Sequence, residues 1–354
     1  MLGLHVDADG MPWHFRRKAA FVFGEGPRAG RHRGALVMGH YARASRTVVA
    51  VEECPVHGDR ANHLAFALFA HLARAGIPAA GPRLDGILRH VLVRTSHDER
   101  DAVVMLVVTR NDKKLRAPVR AFLSSSEAPD GFLINVHDRP GPFVVGRETI
   151  RVDGVRQVRE TVLGTRFLVS PDAFFQTSPE AAALLVEEVL ARAAATRRPS
   201  RGRDAHPHAV LDLYAGSGLF ALPLVSAGHD VTAVEENKQA VDDLEANRRL
   251  KGGPRGRLRV MRARVEDALP RLAHGPADLV VLDPPRQGCP QEVLEGVFRT
   301  IAPRTAVYVS CNPEALASEL PSIVTAGYRV TRVQPVDMFP HTPHIESVVT
   351  LRRA

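Results

Sequence analysis

The stretch VLDLYAGSGLF, residues 210–220, joins an apolar run to a glycine-rich turn and predicts the fold of the second half of the chain. The apolar run is typical of a buried β-strand. Glycines at positions 216 and 218 let the backbone pass close to a ligand and open a helix whose N–H groups face that ligand. A second strand, VTAVE, ends in Glu235, 19 residues after Gly216. A carboxylate at this place can accept hydrogen bonds from both ribose hydroxyls of a bound nucleoside.

The glycine run reads G-S-G-L-F-A and lacks the third glycine of dinucleotide-binding loops. This disfavours a ligand with a pyrophosphate and favours a nucleoside without one, such as S-adenosylmethionine. A lone Gly-x-Gly also occurs in plain turns, but here the spaced acid adds to it. From Pro171 to the C-terminus, strand runs alternate with helical stretches, which predicts a doubly wound α/β sheet. In the stretch SPEAAALLVEEV, Ser178 is placed as an N-cap and Pro179 as the first helical residue.

Two further stretches place reactive side chains where strands end. VVLDPPRQGC, residues 280–289, begins as a buried strand and ends in Asp283, and the two prolines stiffen the loop that holds Asp283 and Arg286. Asp-Pro alone would indicate only a capped turn. In YVSCNPEAL, Cys311 follows an apolar strand and precedes a helix that begins near Pro313. The sequence therefore predicts a thiol at a strand-to-helix corner, near a helix N-terminus.

The first half of the chain has a different pattern of apolar and polar residues. Short apolar runs alternate with turn residues, which predicts a mostly β domain, and one helical segment covers residues 60–75. We therefore predict two domains, residues 1–170 and 171–354. The net charge of +8 lies entirely in the first, which has 25 Lys and Arg against 17 Asp and Glu, whereas the second has 22 of each. A basic domain favours nucleic acid as a partner, and a solvated basic face is the alternative.

The composition excludes several classes of protein. Three cysteines without paired spacing argue against a disulfide framework. The first residues lack a secretory signal, and no apolar stretch is as long as a membrane span. We expect a cytoplasmic monomer that does not associate with membranes.

Four motifs, DLYAGSGLF, DPPRQGC, YVSCNPEAL and DMFPHTPHIESV, resemble in order those of bacterial RNA uracil-5-methyltransferases, which form 5-methyluridine in rRNA and tRNA. SPDAFFQTS resembles the segment just before the catalytic domain of that family, and PWHFRRKAAFVFG resembles its basic first strand. The resemblance covers about residues 12–354. It implies an α/β fold: a Rossmann-like class I methyltransferase domain, preceded by a mostly β (α+β) RNA-recognition domain.

The resemblance also implies a mechanism. A thiolate from Cys311 would add to carbon 6 of uracil and make carbon 5 nucleophilic enough to take the methyl group of S-adenosylmethionine. Glu346 would then remove the proton from carbon 5. Because a helix N-terminus lowers the pKa of a thiol, the strand-to-helix corner suits Cys311. Cys54 and Cys289 are expected to be inert buried residues.

The same resemblance implies which residues bind cofactor and RNA. It places Asp283 between cofactor and uracil, where a catalytic role is expected. Phe174 matches an aromatic residue that stacks on an extruded base. The residues expected to bind cofactor are Gln176, Tyr214, Gly216, Gly218, Leu219, Glu235 and Asp283. The residues expected to bind RNA are Phe174, Arg286, Arg16 and Lys18, of which Arg16 and Lys18 should share one face of a strand.

The chain departs from the family at several places, of which the cysteine cluster bears most on metal binding. Cys54 matches the fourth cysteine of an iron–sulfur cluster that some relatives carry, but the other three cysteines are absent, so we expect no cluster and no metal. His341 and His344 have no partner with metal-ligand spacing. The expected substrate is structured RNA, with 23S rRNA favoured over tRNA. Two alternatives stay open: a catalytically weak RNA-binding or chaperone protein, and a methyltransferase acting on a base nitrogen, which would usually carry Tyr or Phe where Arg286 stands.

Overall fold

The computed structural model describes residues 12–26, 34–141, 144–176, 178–196, 208–250, 256–275 and 277–354. These residues fall into two compact units. Unit 1 comprises the described residues of Met1–Glu160 and Val169–Asp172, and unit 2 those of Thr161–Leu168 and Ala173–Ala354. The chain therefore passes between the units more than once, whereas the sequence suggested a single boundary after residue 170.

Unit 1 is built on a seven-stranded sheet in the order β3-β2-β1-β4-β5-β6-β7. Its strands are β1 Lys18–Glu25, β2 Leu36–Tyr41, β3 Val48–Ala50, β4 Leu88–Thr95, β5 Ala102–Val108, β6 Gly131–Val136 and β7 Glu148–Gly154. All neighbouring strands are antiparallel except β5 and β6, which run parallel. The crossover between β5 and β6 contains a short 3₁₀ turn, Lys113–Leu115, and helix α2, Arg116–Leu123.

Helix α1, Asp59–Arg74, packs its apolar stripe on the sheet of unit 1. Leu64, Leu68 and Leu72 are spaced four residues apart and are all buried, as the 3.6-residue period requires for one helix face. Strand β5 is apolar throughout (AVVMLVV) and completely buried, as expected for an interior strand that lies between β4 and β6. The sequence located this helix to within one residue.

A two-stranded hairpin of β8, Val158–Val162, and β9, Thr165–Val169, follows the first sheet along the chain. Unit 2 then forms a second seven-stranded sheet in the order β12-β11-β10-β13-β14-β16-β15. Its strands are β10 Ala209–Leu213, β11 Asp230–Glu235, β12 Leu258–Arg262, β13 Leu279–Leu282, β14 Thr305–Ser310, β15 Tyr328–Val336 and β16 Glu346–Arg353. Its helices are α3 Pro179–Thr196, α4 Ala221–Ser226, α5 Lys238–Leu250, α6 Val265–Leu272, α7 Gln291–Glu295 and α8 Pro313–Thr325, and a π-helical turn, Gly296–Ile301, follows α7.

The second sheet is parallel except for β16, which runs antiparallel to both of its neighbours. Strands that alternate with helices give this doubly wound arrangement, and the α/β prediction is confirmed. The predicted N-cap is also present, because the Ser178 hydroxyl accepts a hydrogen bond from the Ala181 N–H at 3.3 Å. Among the helices that the structure describes, none has the length and apolar character needed to span a bilayer.

Candidate active site at the carboxyl edge of the second sheet

The register of the second sheet brings several predicted site residues to one edge. Leu213 pairs with both Val234 and Leu282, so the residues that follow these three positions lie level with one another: Tyr214, Glu235 and Asp283. This edge is formed by the carboxyl ends of parallel strands, where open α/β sheets bind their ligands.

The loop after β10 takes backbone conformations that favour glycine. Gly216 has φ 54° and Gly218 has φ 92°. The two glycines are needed for different reasons. A Cβ on Gly218 would collide with the Leu244 side chain, whereas a Cβ on Gly216 would meet nothing within 4 Å. The space beside Gly216 is thus open to a ligand, and Gly218 is where the loop packs closely on α5.

Glu235 braces this loop. Its Oε2 accepts a hydrogen bond from the Gly216 N–H at 2.9 Å, and its Oε1 accepts one from the Asn237 N–H at 2.7 Å. Each carboxylate oxygen has a second lone pair, so Glu235 can still accept hydrogen bonds from ribose hydroxyls. An acceptor of this kind beside the open space at Gly216 fits the nucleoside part of S-adenosylmethionine.

The other predicted cofactor residues differ in exposure. Gln176 and Leu219 are buried and Tyr214 is half-buried, with a positive φ of 64°. Burial raises the pKa of the Tyr214 phenol, so this group stays neutral and can donate a hydrogen bond. Their cofactor contacts stay a prediction.

Phe174 and Phe175 are adjacent but lie in opposite environments. Phe174 is 67% exposed, which is uncommon for a phenylalanine in a folded unit. Phe175 is buried and packs edge-on against Phe167, with ring centroids 5.3 Å apart. Phe175 is thus a core residue, and the exposed ring of Phe174 is available to stack on a base.

Cys311 and Glu346 approach each other because of strand pairing. Ser310, the last residue of β14, pairs with Ser347 of β16, so Cys311 lies next to the position of Glu346. Cys311 is half-buried and sits at the predicted corner. Directly after it, Asn312 caps α8 by accepting a hydrogen bond from the Ala315 N–H.

The Asp-Pro-Pro-Arg loop is tied to this corner. The Asn312 side chain donates to the Arg286 carbonyl at 3.0 Å, and the exposed Arg286 guanidinium donates to His344 Nδ1 at 3.0 Å. His344, which the sequence offered only as a weak metal ligand, therefore orients Arg286. Segments from three places in the sequence thus converge around the thiol.

The electrostatics of the thiol correct one expectation. The helix N-terminus was expected to lower the pKa of Cys311. Instead, burial raises it, and the charges of Glu346 and Asp283 raise it further, while Arg286 opposes them. Partial desolvation is the largest cause of the raised pKa, and the two nearby acids add to it. With its pKa above the ordinary range, Cys311 is mainly a thiol at neutral pH.

The two acids are themselves perturbed. Burial raises the pKa of Glu346 to about 8, and the charge of Asp283 adds to the rise. Burial raises the pKa of Asp283 to about 7. A carboxyl group with a pKa near the working pH is suited to exchange protons with a substrate, and paired shifts of this kind are typical of active sites.

Two supporting residues gave little signal in the sequence. Asp212 is completely buried in β10, and burial and the charge of Asp283 raise its pKa well above the ordinary value. The only signal was an acid inside the apolar run VLDLY. Glu319 of α8 is the second: it accepts hydrogen bonds from the Cys289 N–H at 2.9 Å and the Tyr308 hydroxyl at 2.7 Å. Glu319 thereby fixes the end of the Asp-Pro-Pro-Arg loop to α8.

Cys289 is an inert buried residue, as predicted. It is buried, and burial raises the pKa of its thiol to about 12. Such a group remains protonated and is a poor nucleophile.

In unit 1, the predicted RNA-binding cations are less exposed than expected. Arg16 precedes β1 and is half-buried, and burial lowers its pKa. Lys18 is the first residue of β1, and burial together with the charge of Arg94 lowers its pKa to about 7. Arg17, expected on the opposite face, pairs with Glu99. Contacts of Arg16 and Lys18 with phosphate stay a prediction.

Comparisons with known proteins agree with this geometry. Residues 201–354 match the family model described as tRNA (Uracil-5-)-methyltransferase. A protein of Gloeobacter violaceus, described as an uncharacterized RNA methyltransferase, is 34% identical over 354 residues, which are 99% of this chain and 72% of that protein. This chain belongs to the RNA uracil-5-methyltransferase family. An RNA methyltransferase of Caldanaerobacter subterraneus is 29% identical over 344 residues, 97% of this chain and 73% of its own length.

The fold of this RNA methyltransferase agrees with a solved structure. The tRNA (uracil-54, C5)-methyltransferase of Pyrococcus abyssi, in complex with S-adenosyl-L-homocysteine, matches with a TM-score of 0.73 and 23% identity, covering 96% of this chain and 76% of that one. The protein is therefore an S-adenosylmethionine-dependent RNA methyltransferase with the predicted Rossmann-like domain.

Proposed function

We propose that this enzyme methylates carbon 5 of a uridine in structured RNA through a covalent adduct between Cys311 and the base. The pairing of β14 with β16 carries this proposal, because it sets Cys311 beside Glu346 at the strand edge where ligands bind. A nucleophile and a base at one place match the two tasks that carbon-5 methylation requires. These tasks are activation of the ring and removal of a proton.

The chemistry balances with these two groups. The Cys311 thiolate adds to carbon 6, and the π electron pair of the carbon 5–carbon 6 double bond moves toward carbon 4 and its oxygen to give an enolate that is nucleophilic at carbon 5. Bound S-adenosylmethionine supplies a methyl group on a positively charged sulfonium. Carbon 5 forms a bond to that methyl group as the methyl–sulfur bond breaks and S-adenosylhomocysteine is released, after which Glu346 takes the remaining proton from carbon 5. The ring double bond forms again as the bond to the Cys311 sulfur breaks.

Asp283 and Arg286 shift the pKa values of the nucleophile and the base. The charge of Asp283 raises the pKa of both Cys311 and Glu346, whereas Arg286 lowers that of Cys311. Both the thiol and Glu346 must lose their protons before they act. Because the pKa of Glu346 is about 8 and that of Cys311 is raised above its ordinary value, the rate of methylation should rise with pH through the region around 8 and continue to rise above it.

Exposure and charge indicate which side chains would bind the RNA. The exposed ring of Phe174 would stack on the extruded base, which recovers part of the unstacking cost of a few kcal/mol. The excess positive charge of residues 1–170 would supply most of the affinity for phosphate. The preference for 23S rRNA over tRNA stays a prediction.

The two alternatives have weaker support. A catalytically weak RNA-binding protein would have no need to keep a thiol and a buried acid side by side, as Cys311 and Glu346 are. A methyltransferase of base nitrogen needs no cysteine nucleophile, and Arg286 stands where such enzymes usually carry an aromatic residue.

Product analysis tests the proposal. The purified enzyme is incubated with isotopically methyl-labelled S-adenosylmethionine and with rRNA and tRNA from a strain that lacks the gene, and the nucleosides are separated by mass spectrometry. We expect labelled 5-methyluridine in one RNA class and none with Cys311→Ala. Label on any other nucleoside would refute carbon-5 chemistry, and full activity of Cys311→Ala would refute the covalent adduct.

A further inference from the structure

Unit 1 contains a cluster of potential metal ligands to which RNA methylation gives no role. One ring nitrogen of His40, one of His57 and the Cys54 sulfur all lie within 4.8 Å of one another. His57 is 4% exposed, and the other two side chains are half-buried. Neither histidine lies in any of the motifs that carry the family resemblance.

The backbone holds these side chains in place. His40 lies in β2, and Cys54 and His57 lie in a Cys-x₂-His turn closed by a hydrogen bond from the His57 N–H to the Cys54 carbonyl at 3.0 Å. The buried Asn62 side chain accepts from the Cys54 N–H at 3.0 Å and donates to the carbonyls of both turn residues, at 3.0 and 3.2 Å. A short turn with ligands three residues apart is the common way in which one segment supplies two ligands to zinc.

Each histidine of the cluster has one ring nitrogen without a partner among the described residues. His40 Nε2 and His57 Nδ1 are buried and accept or donate no hydrogen bond within the part of the chain that the structure describes. Buried polar atoms usually have a partner, because leaving one without it costs free energy. The rings also pack on each other and on Phe21, with centroids 5.6 Å apart for the two histidines and 5.1 Å for Phe21 and His40. Ring packing explains where the rings lie, but it does not satisfy their nitrogens.

We propose that His40, Cys54 and His57 bind a zinc ion in unit 1. Two imidazoles and a thiolate are ligands that zinc prefers, and magnesium or calcium would require oxygen ligands. Zinc-bound nitrogen and sulfur atoms lie about 3 to 4 Å apart, as bond lengths of about 2.0 and 2.3 Å dictate. Side chains that already lie within 4.8 Å of one another therefore need shift by only about 1 Å. On binding, the Cys54 thiol loses its proton to solvent, and a water molecule completes the coordination.

The guanidinium of Arg16 lies near the proposed site and affects its electrostatics. Arg16 interacts electrostatically with Cys54, His40 and His57, so it repels a second cation at this place. The thiolate offsets part of the ion's charge. Arg16 is bound to the same turn, because its N–H donates to the Val56 carbonyl and its carbonyl accepts from the Gly58 N–H, both at 2.9 Å. An ion here would therefore stiffen the start of β1, which carries the basic residues proposed to contact RNA.

Cobalt spectroscopy tests the site directly. The full-length protein is freed of metal with a chelator and titrated with Co²⁺. We expect one equivalent to give a thiolate-to-cobalt charge-transfer band and the visible bands of tetrahedral cobalt, which Zn²⁺ then abolishes. The bands should be lost in Cys54→Ala and retained in Cys311→Ala and in His90→Gln, a matched histidine of the same sheet in β4. The readout does not depend on methylation, so it stands apart from the proposed function.

A second measurement covers the case in which the Cys54 variant does not fold. In the parent protein, Zn²⁺ should slow alkylation of Cys54, followed by mass spectrometry of its peptide, and should leave alkylation of Cys311 unchanged. Absence of a stoichiometric cobalt band, a band that disappears in Cys311→Ala, or equal alkylation of Cys54 with and without Zn²⁺ would overturn the proposal.

Discussion

Replacing Glu346 with Gln should change how the stability of the enzyme depends on pH. Glu346 is 2% exposed, and its Oε1 has no hydrogen-bond partner among the described residues. Burial raises its pKa from the ordinary 4.5 to about 8. Between these two values the folded protein binds more protons than the unfolded chain, so the parent loses stability as pH rises through this range. The amide side chain of the Glu346→Gln variant is neutral at every pH and escapes this loss.

The size of the effect follows from the shift. Each pKa unit corresponds to about 1.4 kcal/mol, so raising the pH from about 5.5 to about 7.5 should remove up to about 2.5 kcal/mol from the parent relative to Glu346→Gln. Water entry and relaxation reduce this to the order of 1 to 2 kcal/mol. For a folded unit of this size, the melting temperature of the variant should gain about 2 to 8 °C over the parent between the two pH values.

Thermal unfolding of both proteins at these two pH values, in buffers of equal ionic strength, measures this difference. Glu187→Gln is the matched control, because Glu187 is exposed on α3 and should give the same difference from the parent at both pH values. If the difference between Glu346→Gln and the parent is also equal at both pH values, Glu346 does not carry a raised pKa, and the electrostatic description of the site is wrong.

Three further predictions concern catalysis and RNA binding. Glu346→Gln should still form and methylate the adduct but fail to remove the proton, so a methylated enzyme–RNA species should appear as a slow band in denaturing electrophoresis; normal turnover would assign the base to another group. Phe174→Ala should weaken RNA binding by about 1 to 3 kcal/mol with unchanged cofactor affinity, and Phe174→Tyr should retain binding; equal RNA affinities of parent and Phe174→Ala would mean that the ring does not stack. Arg16→Ala/Lys18→Ala should weaken RNA binding and flatten its dependence on salt, and superimposable titrations would show that these side chains contact no phosphate.

Much of unit 2 could be predicted because its signals are local. The run VLDLY followed by Gly216 and Gly218 indicates a strand and a ligand loop within a single short stretch. Ser178 and Pro179 mark the start of α3, and Pro313 marks that of α8. Each of these features depends on backbone preferences of neighbouring residues, which the sequence states directly.

The remaining features depend on residues that are distant in sequence. The pKa of Cys311 was expected to fall because the helix start is local, but Asp283 and Glu346 arrive from other strands and raise it. The exposure of Lys18 depends likewise on how Arg94 and the rest of the sheet pack around it. Contacts between residues that are distant in sequence cannot be inferred from the alternation of apolar and polar residues along a strand.

Trapping with 5-fluorouridine tests the central claim most directly. RNA in which uridine is replaced by 5-fluorouridine is incubated with the enzyme and S-adenosylmethionine and then denatured. Fluorine on carbon 5 cannot leave as a proton, so the adduct with the cysteine should persist. We predict a covalent enzyme–RNA complex whose cross-linked peptide contains Cys311, and no complex with Cys311→Ala. A parent enzyme that methylates ordinary RNA but gives no complex, or a complex that survives in Cys311→Ala, would contradict catalysis by this thiol.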